Sequence, residues 1–239
     1  MIQINLCGVR IDGVTRKEAV EIALAERGEV CTVVTPNAVM LEQCRQDARY
    51  ATLLNRATLS LPDGMGVLRA ARKKGIALPE RVAGIDFGEA LLARSAEDGL
   101  RVFFLGGAKG VAQEAARVMT LRYPKLCVCG TYCGYFDRTG EENERLLARL
   151  QALAPDILLV CLGFPLQEEW IFQNVQRLPF VRVMAGLGGS LDVWAGEARR
   201  APQFVQRCGL EWAWRMLREP RRLRQLPTLL RFFMFGART

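Results

Sequence analysis

The chain has 239 residues, of which 50% are hydrophobic and 24% are charged. These proportions exclude wholesale disorder and fit one large α/β domain with an appendage better than two full domains. Histidine is absent, so a general base near neutral pH must be Asp, Glu, Cys, Lys or Tyr. No run of about 18 apolar residues occurs, and we therefore predict no membrane-spanning helix.

Apolar strands alternate with helices along most of the chain. The first predicted elements are a strand or hairpin at 2–12, a helix capped by Thr15 and stopped by Gly28, and a buried strand at 31–35. The others, in chain order, are helix 37–50, strand 57–62, helices 63–75 and 85–97, strand 101–107, helix 109–123, strand 125–132, helix 141–154, strand 156–163, helix 165–176 and strand 181–189. This alternation predicts a Rossmann-like α/β fold, with a mostly parallel sheet and helices on both faces. We place this domain at 1–195 and a helical appendage at 196–239.

Ligands bind parallel sheets beyond the carboxyl ends of the strands. The predicted strands end in the segments TPN, LPDG, LGGAKG, CGYF, LGFPLQE and LGGSLD. These segments bring polar residues and glycines to one rim: Thr35, Asn37, Asp63, Gly106, Gly107, Gly134, Tyr135, Gly163, Gln167, Gly188, Gly189 and Asp192. We expect the functional site at this rim.

Three polar side chains on the rim have two interpretations each. Asp63 follows a strand and begins a helix, so it is either a helix cap or a general base. Thr35 and Asn37 flank a proline at a strand-to-helix junction, so they either bind sugar hydroxyls or cap the helix.

The glycine-rich strand ends match neither the dinucleotide nor the P-loop pattern. Glycines at helix starts still allow a pyrophosphate to approach backbone N–H groups, and ordinary tight turns are the alternative. The candidate nucleotide-binding residues in these segments are Gly106, Gly134, Tyr135, Gly163 and Gly188. After Pro165, the positive end of a helix accounts for Glu168 and Glu169, but it does not account for Gln167.

The eight cysteines are best explained as buried reduced thiols, which indicates a reducing compartment. Cys127, Cys129 and Cys133 form a cluster, but without a CxxC pair or a histidine we predict core thiols and no metal site. The first residues lack a secretory pattern. We therefore expect a cytoplasmic protein, or one attached to a membrane from the cytoplasm.

The basic charge is concentrated in the tail. The net charge of the whole chain is +8, and residues 207–239 hold eight arginines against two glutamates. Arginines alternate there with Trp, Leu and Phe, a pattern typical of helices that lie on anionic membranes. A core helix with a solvated basic face and a nucleic-acid-binding segment are the alternatives, and the arginines also suit a diphosphate.

Together these motifs resemble the WecG/TagA/CpsF family, glycosyltransferase family 26. The resemblance is carried, in order, by TPNAVML, LPDGMGV, ERVAGIDF, FFLGG, YPKL with GTYCGYF, PDILLVCLGFPLQEEWI, VMAGLGGSLDVWAGEARRAP and GLEWAWRMLREPRR. It covers about residues 30–225, and the combination is far more specific than any single motif.

The resemblance implies an inverting, metal-independent transferase without a cofactor. Its donor would be UDP-N-acetylmannosamine or the uronic acid, and its acceptor a GlcNAc-diphosphate polyprenol. The family's base falls on Asp63, its active-site Thr and Asn on Thr35 and Asn37, its loop arginine on Arg81 and its pocket glutamine on Gln167. Asp192 matches a nucleoside contact. The appendage residues implied in diphosphate binding and membrane docking are Arg215, Arg218, Arg221, Arg222 and Arg224.

Two other function classes fit parts of the sequence. An NAD(P)-dependent oxidoreductase would share the sheet, although the dinucleotide fingerprint and histidine are absent. A basic module that binds membranes or nucleic acid without turnover would explain the tail. We expect no nucleic-acid partner, and self-association through apolar tail residues stays open.

Overall fold

A computed structural model describes residues 1–207, 210–218, 223–224 and 226–235. Strands β1 (Ile2–Leu6) and β2 (Val9–Gly13) form an antiparallel hairpin. The other strands are β3 (Cys31–Val34), β4 (Leu59–Ser60), β5 (Arg101–Gly106), β6 (Cys127–Tyr132), β7 (Ile157–Cys161) and β8 (Val183–Gly186). They form one six-stranded sheet in the order β4-β3-β8-β7-β5-β6, and every neighbouring pair is parallel. The predicted Rossmann-like α/β fold is confirmed.

Helices cover both faces of this sheet. They are α1 (Arg16–Leu24), α2 (Ala38–Gln46), α3 (Ala48–Asn55), α4 (Met65–Lys73), α5 (Gly84–Asp98), α6 (Val111–Arg122), α7 (Glu141–Leu153), α8 (Leu166–Asn174) and α9 (Ser190–Trp194). One core lies between the sheet and α2, α3, α4, α7, α8 and the hairpin. The other lies between the sheet and α1, α5, α6 and α9. The central strands contribute alternate side chains to the two cores, which explains why their sequences are apolar throughout.

Several element boundaries differ from the prediction. The first helix ends at Leu24, before Gly28. The predicted helix 37–50 is two helices, because Asp47 ends α2 and its carboxylate accepts the Arg49 N–H at 3.0 Å at the start of α3. Of the predicted strand 57–62, only the two residues of β4 have strand structure.

The described tail contains the short helices α10 (Gln203–Arg207), α11 (Glu211–Arg218) and α12 (Leu226–Phe235). Leu229 and Phe232 of α12 are buried in the core that also contains α2, whereas Leu230 and Met234 are exposed. The helix is therefore part core element and part exposed apolar surface. The domain boundary at residue 195 stays a prediction. Within the described ranges, no helix combines the length and apolar character that a membrane crossing requires.

The cysteine prediction is confirmed in part. Cys7, Cys31, Cys44 and Cys161 are buried free thiols. The cluster on β6 is different, because β6 is an edge strand, Cys127 is exposed, and Cys129 and Cys133 are only partly buried. The assignment of that cluster to the core was wrong. Cys208 lies outside the described residues.

Candidate functional site

Three loops meet at the β3–β4 end of the carboxyl rim. The Asp63 N–H donates to the Pro36 carbonyl at 3.1 Å, and the Val82 N–H donates to the Pro62 carbonyl at 3.1 Å. The TPN turn, the LPDG turn and the loop before α5 are therefore tied together through their backbones. The tie places Thr35, Asn37, Asp63 and Arg81 in one region, as predicted.

Thr35 and Asn37 have different local roles. The buried Thr35 hydroxyl donates to the Gly186 carbonyl at 3.2 Å and so links the ends of β3 and β8. Asn37 is the N-cap of α2, and its Oδ1 accepts the N–H groups of Val39 and Met40 at 3.0 and 3.2 Å. The cap interpretation is thus right for Asn37 and wrong for Thr35.

Asp63 is not the N-cap of the helix that follows it. That position belongs to Gly64, which has a φ of +93° and contributes no side-chain hydrogen bond. Asp63 itself is partly exposed at the end of the loop after β4. Asp63 therefore precedes the N-cap position, and its role as general base stays a prediction.

Arg81 lies in an ion-pair network that reaches the tail. Its side chain is 17% exposed, and Nη1 donates to Glu211 Oε2 of α11 at 2.9 Å. Nη2 contacts Asp86 Oδ2 at 3.3 Å, and Arg200 binds Asp86 Oδ1 at 2.7 Å. The network thus contains two arginines and two carboxylates, and it fastens α11 beside the rim loops.

Gln167 is a buried link between two turns. Its side chain carbonyl oxygen accepts the N–H groups of Gly163 and Gly188 at 3.2 and 2.9 Å. Its Nε2 donates to Glu168 Oε1 at 2.9 Å. Gln167 thus joins the turn after β7 to the turn after β8 instead of projecting freely from the rim.

Glu168 is fully buried, which its explanation by the positive end of the helix did not anticipate. Burial raises the pKa of this carboxyl from its ordinary 4.5 to about 7. Its second oxygen has no hydrogen-bond partner among the described residues.

Glycines at the end of β5 and after β6 bring these two chain segments close together. Gly106 has a φ of +144°, and a Cβ there would collide with the Cys161 carbonyl oxygen. The Gly134 N–H donates to the Gly107 carbonyl at 2.8 Å, which closes the turn after β6 onto the turn after β5. Next to it, the Tyr135 side chain is 82% exposed.

The remaining predicted positions are less completely described. Asp192 is partly exposed in the first turn of α9. Arg215 and Arg218 belong to α11, and Arg224 is exposed. The other two tail positions, Arg221 and Arg222, lie outside the described residues. Diphosphate binding by these arginines stays a prediction.

Sequence reasoning missed four residues that shape the site: Asp86, Glu168, Arg200 and Glu211. Asp86 had a local signal, because it lies in the first turn of α5, five residues after Arg81. The contact from Arg81 to Glu211 spans 130 residues, and no local pattern reveals it. Among the described residues, no group of three or more His, Cys, Asp or Glu side chains is arranged to hold a metal ion.

Comparisons with known proteins agree with the resemblance. The profile described as "Glycosyl transferase WecG/TagA/CpsF family" matches residues 4–239. The N-acetylglucosaminyldiphosphoundecaprenol N-acetyl-beta-D-mannosaminyltransferase of Bacillus spizizenii is 32% identical over 212 residues, which cover 89% of this chain and 80% of that protein. Proteins of the same name from Staphylococcus aureus strains MRSA252 and MW2 are 30% identical over 231 residues, which cover 95% of this chain and 89% of theirs. The chain therefore belongs to the WecG/TagA/CpsF family of glycosyl transferases.

Proposed function

We propose that this enzyme transfers N-acetylmannosamine, or its uronic acid, from UDP to GlcNAc-diphospho-undecaprenol. The product would serve bacterial cell-surface polysaccharide or teichoic acid synthesis. The observation that carries this proposal is the name shared by the three relatives, which cover most of this chain. Membership of a glycosyl transferase family argues against the alternative of an NAD(P)-dependent oxidoreductase with a similar sheet.

In the proposed reaction, Asp63 is the general base of a single displacement. Its carboxylate takes the proton of the acceptor hydroxyl while that oxygen bonds to the anomeric carbon. The bond from that carbon to UDP breaks on the opposite side, so the configuration inverts. The position of Asp63 supports this role, because the residue lies on the rim, partly exposed and outside the N-cap position.

The turns after β7 and β8 supply space for the donor. No heavy atom lies within 4 Å of a Cβ built on Gly163 or Gly188, apart from their chain neighbours. The N–H groups of both glycines bind Gln167, so they are not free to bind phosphate. We therefore assign the diphosphate charge to arginines of the tail and the nucleoside to the neighbourhood of Asp192.

We further propose that the tail holds the enzyme on the cytoplasmic face of the membrane, where a polyprenyl acceptor resides. The tail arginines provide positive charge, and Leu217, Leu230 and Met234 provide exposed apolar side chains. Such a surface binds anionic bilayers through electrostatic attraction and through burial of its apolar side chains in the interface.

Replacement of Leu217 by asparagine is expected to weaken binding to phosphatidylglycerol-containing vesicles several-fold, because 82% of this side chain is exposed. Cosedimentation measures the effect. Leu121→Asn is the matched control, because Leu121 is 69% exposed on α6, outside the tail. Equal loss in both variants, or none in either, would contradict the assignment of binding to the tail.

The transfer itself is tested with UDP-N-acetylmannosamine and a short-chain GlcNAc-diphosphate lipid. We expect UDP release that depends on the acceptor and persists in excess EDTA, because Asp63 and arginines do the work proposed here without a metal. Loss of turnover in EDTA that added Mg²⁺ restores would refute metal independence. Absence of acceptor-dependent UDP release would refute the proposed reaction.

A further inference from the structure

A buried carboxyl lies one residue beyond Gln167, and the proposed mechanism does not use it. Glu168 has no exposed surface, although burial of an ionisable group is costly without a partner. Its described hydrogen bond to another side chain is the one in which Oε1 accepts the N–H of Gln167 Nε2 at 2.9 Å. The cost of burying this carboxyl suggests that its hydrogen bond to Gln167 contributes to the structure of the rim.

The hydrogen bond fixes the orientation of the Gln167 amide. An amide has an accepting oxygen and a donating nitrogen, and each must face a matching partner when both are buried. The Glu168 oxygen faces the nitrogen, while the N–H groups of Gly163 and Gly188 face the oxygen. Three partners on two sides therefore select a single orientation.

This arrangement is tightly packed against the sheet. A Cβ added to Gly186, the last residue of β8, would lie 2.8 Å from the Gln167 nitrogen. The nitrogen therefore has little room to seek a different partner without displacing the rest of the amide. Without the hydrogen bond to Glu168, the buried Gln167 nitrogen would have an unsatisfied N–H group. Movement of the amide toward a new partner would pull the Gln167 oxygen away from the N–H groups of both glycines.

The two glycine turns lie at the end of neighbouring strands. Gly163 follows β7 and Gly188 follows β8, with φ angles of +79° and +54°. Both turns lie at the carboxyl ends of β7 and β8, which are adjacent strands in the middle of the sheet. In the proposed function the donor binds at this rim, so a residue that fixes both turns helps to position the donor.

We propose that Glu168 is a positioning residue for the transfer reaction, because it holds Gln167 in the orientation that locks the turns after β7 and β8. The catalytic part of this inference rests on the proposed function. The structural part concerns two amide protons and is measurable without substrate. Glu168 itself touches no reacting atom.

Three single variants of the full-length chain separate this role from a general effect on folding. Glu168→Met removes the acceptor and keeps a buried side chain of similar length. Glu168→Gln keeps a carbonyl oxygen that can face the Gln167 nitrogen. Glu169→Met removes the neighbouring carboxyl, which is partly exposed and makes no described hydrogen bond to Gln167.

The first measurement is hydrogen exchange at the Gly163 and Gly188 amides by NMR. We expect about tenfold faster exchange at both sites in Glu168→Met, since the loss of one buried hydrogen bond is of that order. Exchange in Glu168→Gln and Glu169→Met should stay near the wild-type rate. Unchanged exchange in a folded Glu168→Met protein would overturn the inference, as would equal acceleration in the Gln variant.

The second measurement is kcat/KM for transfer. We expect a loss of about 10- to 100-fold in Glu168→Met, which the Gln variant rescues to within a few-fold of wild type. In a Gln167→Ala background, Glu168→Met should have no further effect, because Glu168 acts through Gln167. Full additivity of the two substitutions would overturn the inference. A wild-type chain without transfer activity would instead refute the proposed function, and the exchange experiment would still decide whether Glu168 fixes the turns.

Discussion

Replacement of Asp63 by asparagine is expected to lower kcat for sugar transfer by about 10²- to 10⁴-fold, the range that general-base catalysis contributes. The amide is nearly isosteric with the carboxylate but cannot take the acceptor proton. The backbone tie from the Asp63 N–H to the Pro36 carbonyl does not involve the side chain. We therefore expect the variant to keep this tie and to stay folded, which the melting temperature measures.

Asp98→Asn is the matched control for this substitution. Asp98 is the last residue of α5, a helix of 15 residues whose first residue, Gly84, lies beside Thr35. The helix therefore carries Asp98 about 20 Å away from the rim. The control should retain wild-type turnover. Turnover by Asp63→Asn at a rate close to that of Asp98→Asn would remove Asp63 from the mechanism.

The second large effect concerns stability and pH. The pKa of Glu168 is raised from 4.5 to about 7 in the folded chain. Between these values the folded state binds more protons than the unfolded state, so the free energy of unfolding falls as pH rises. The total fall should be about 3 kcal/mol, complete slightly above pH 7. Glu168→Gln has no proton to lose, and its stability should change much less over this interval.

Denaturant unfolding at pH 5 and pH 8 measures this difference, because other shifted groups act outside that window. Hydrogen bonds from arginines lower the pKa values of Glu42 and Asp47, and their contributions are lost only at more acidic pH. Burial raises the thiol pKa values of Cys44 and Cys161 to about 12. Equal loss of stability between pH 5 and pH 8 in wild type and Glu168→Gln would contradict the assignment to Glu168.

The parallel sheet was predictable because its signals are local. Buried strands such as 156–163 are continuous apolar runs, and turn residues separate them from helices of the right length. The boundary errors have local causes too. Asp47 ends one helix and caps the next, which a periodicity window spanning both helices cannot resolve.

The meeting of the candidate residues at one rim was also predictable, since parallel strands bring their carboxyl ends to the same edge. The interactions within the site were less so. Gln167 was expected at the rim, but its link to Gly188 depends on the adjacency of β7 and β8 in the sheet. The Arg81–Glu211 pair depends on how the tail folds back. Both contacts follow from tertiary packing, for which the sequence carries no periodic signal.

The burial of Glu168 shows the same limit in a single residue. Two consecutive glutamates in the first turn of a helix normally indicate solvated charges that favour the helix dipole. Here Glu168 is buried in the core and accepts a hydrogen bond from the side-chain amide of Gln167. A strand-end motif therefore supplied the candidate Gln167, and only the three-dimensional contacts supplied the residue that orients it.

The central claim is transfer of an N-acetylmannosamine-type sugar from UDP to a GlcNAc-diphosphate lipid. Its most direct test is a parallel screen of UDP-sugars with that acceptor, in which mass spectrometry of the lipid product measures the added sugar. We predict a product enlarged by one N-acetylmannosamine or its uronic acid, formed only with the corresponding donor. A product formed solely with UDP-glucose, or no lipid product with any UDP-sugar, would contradict the account.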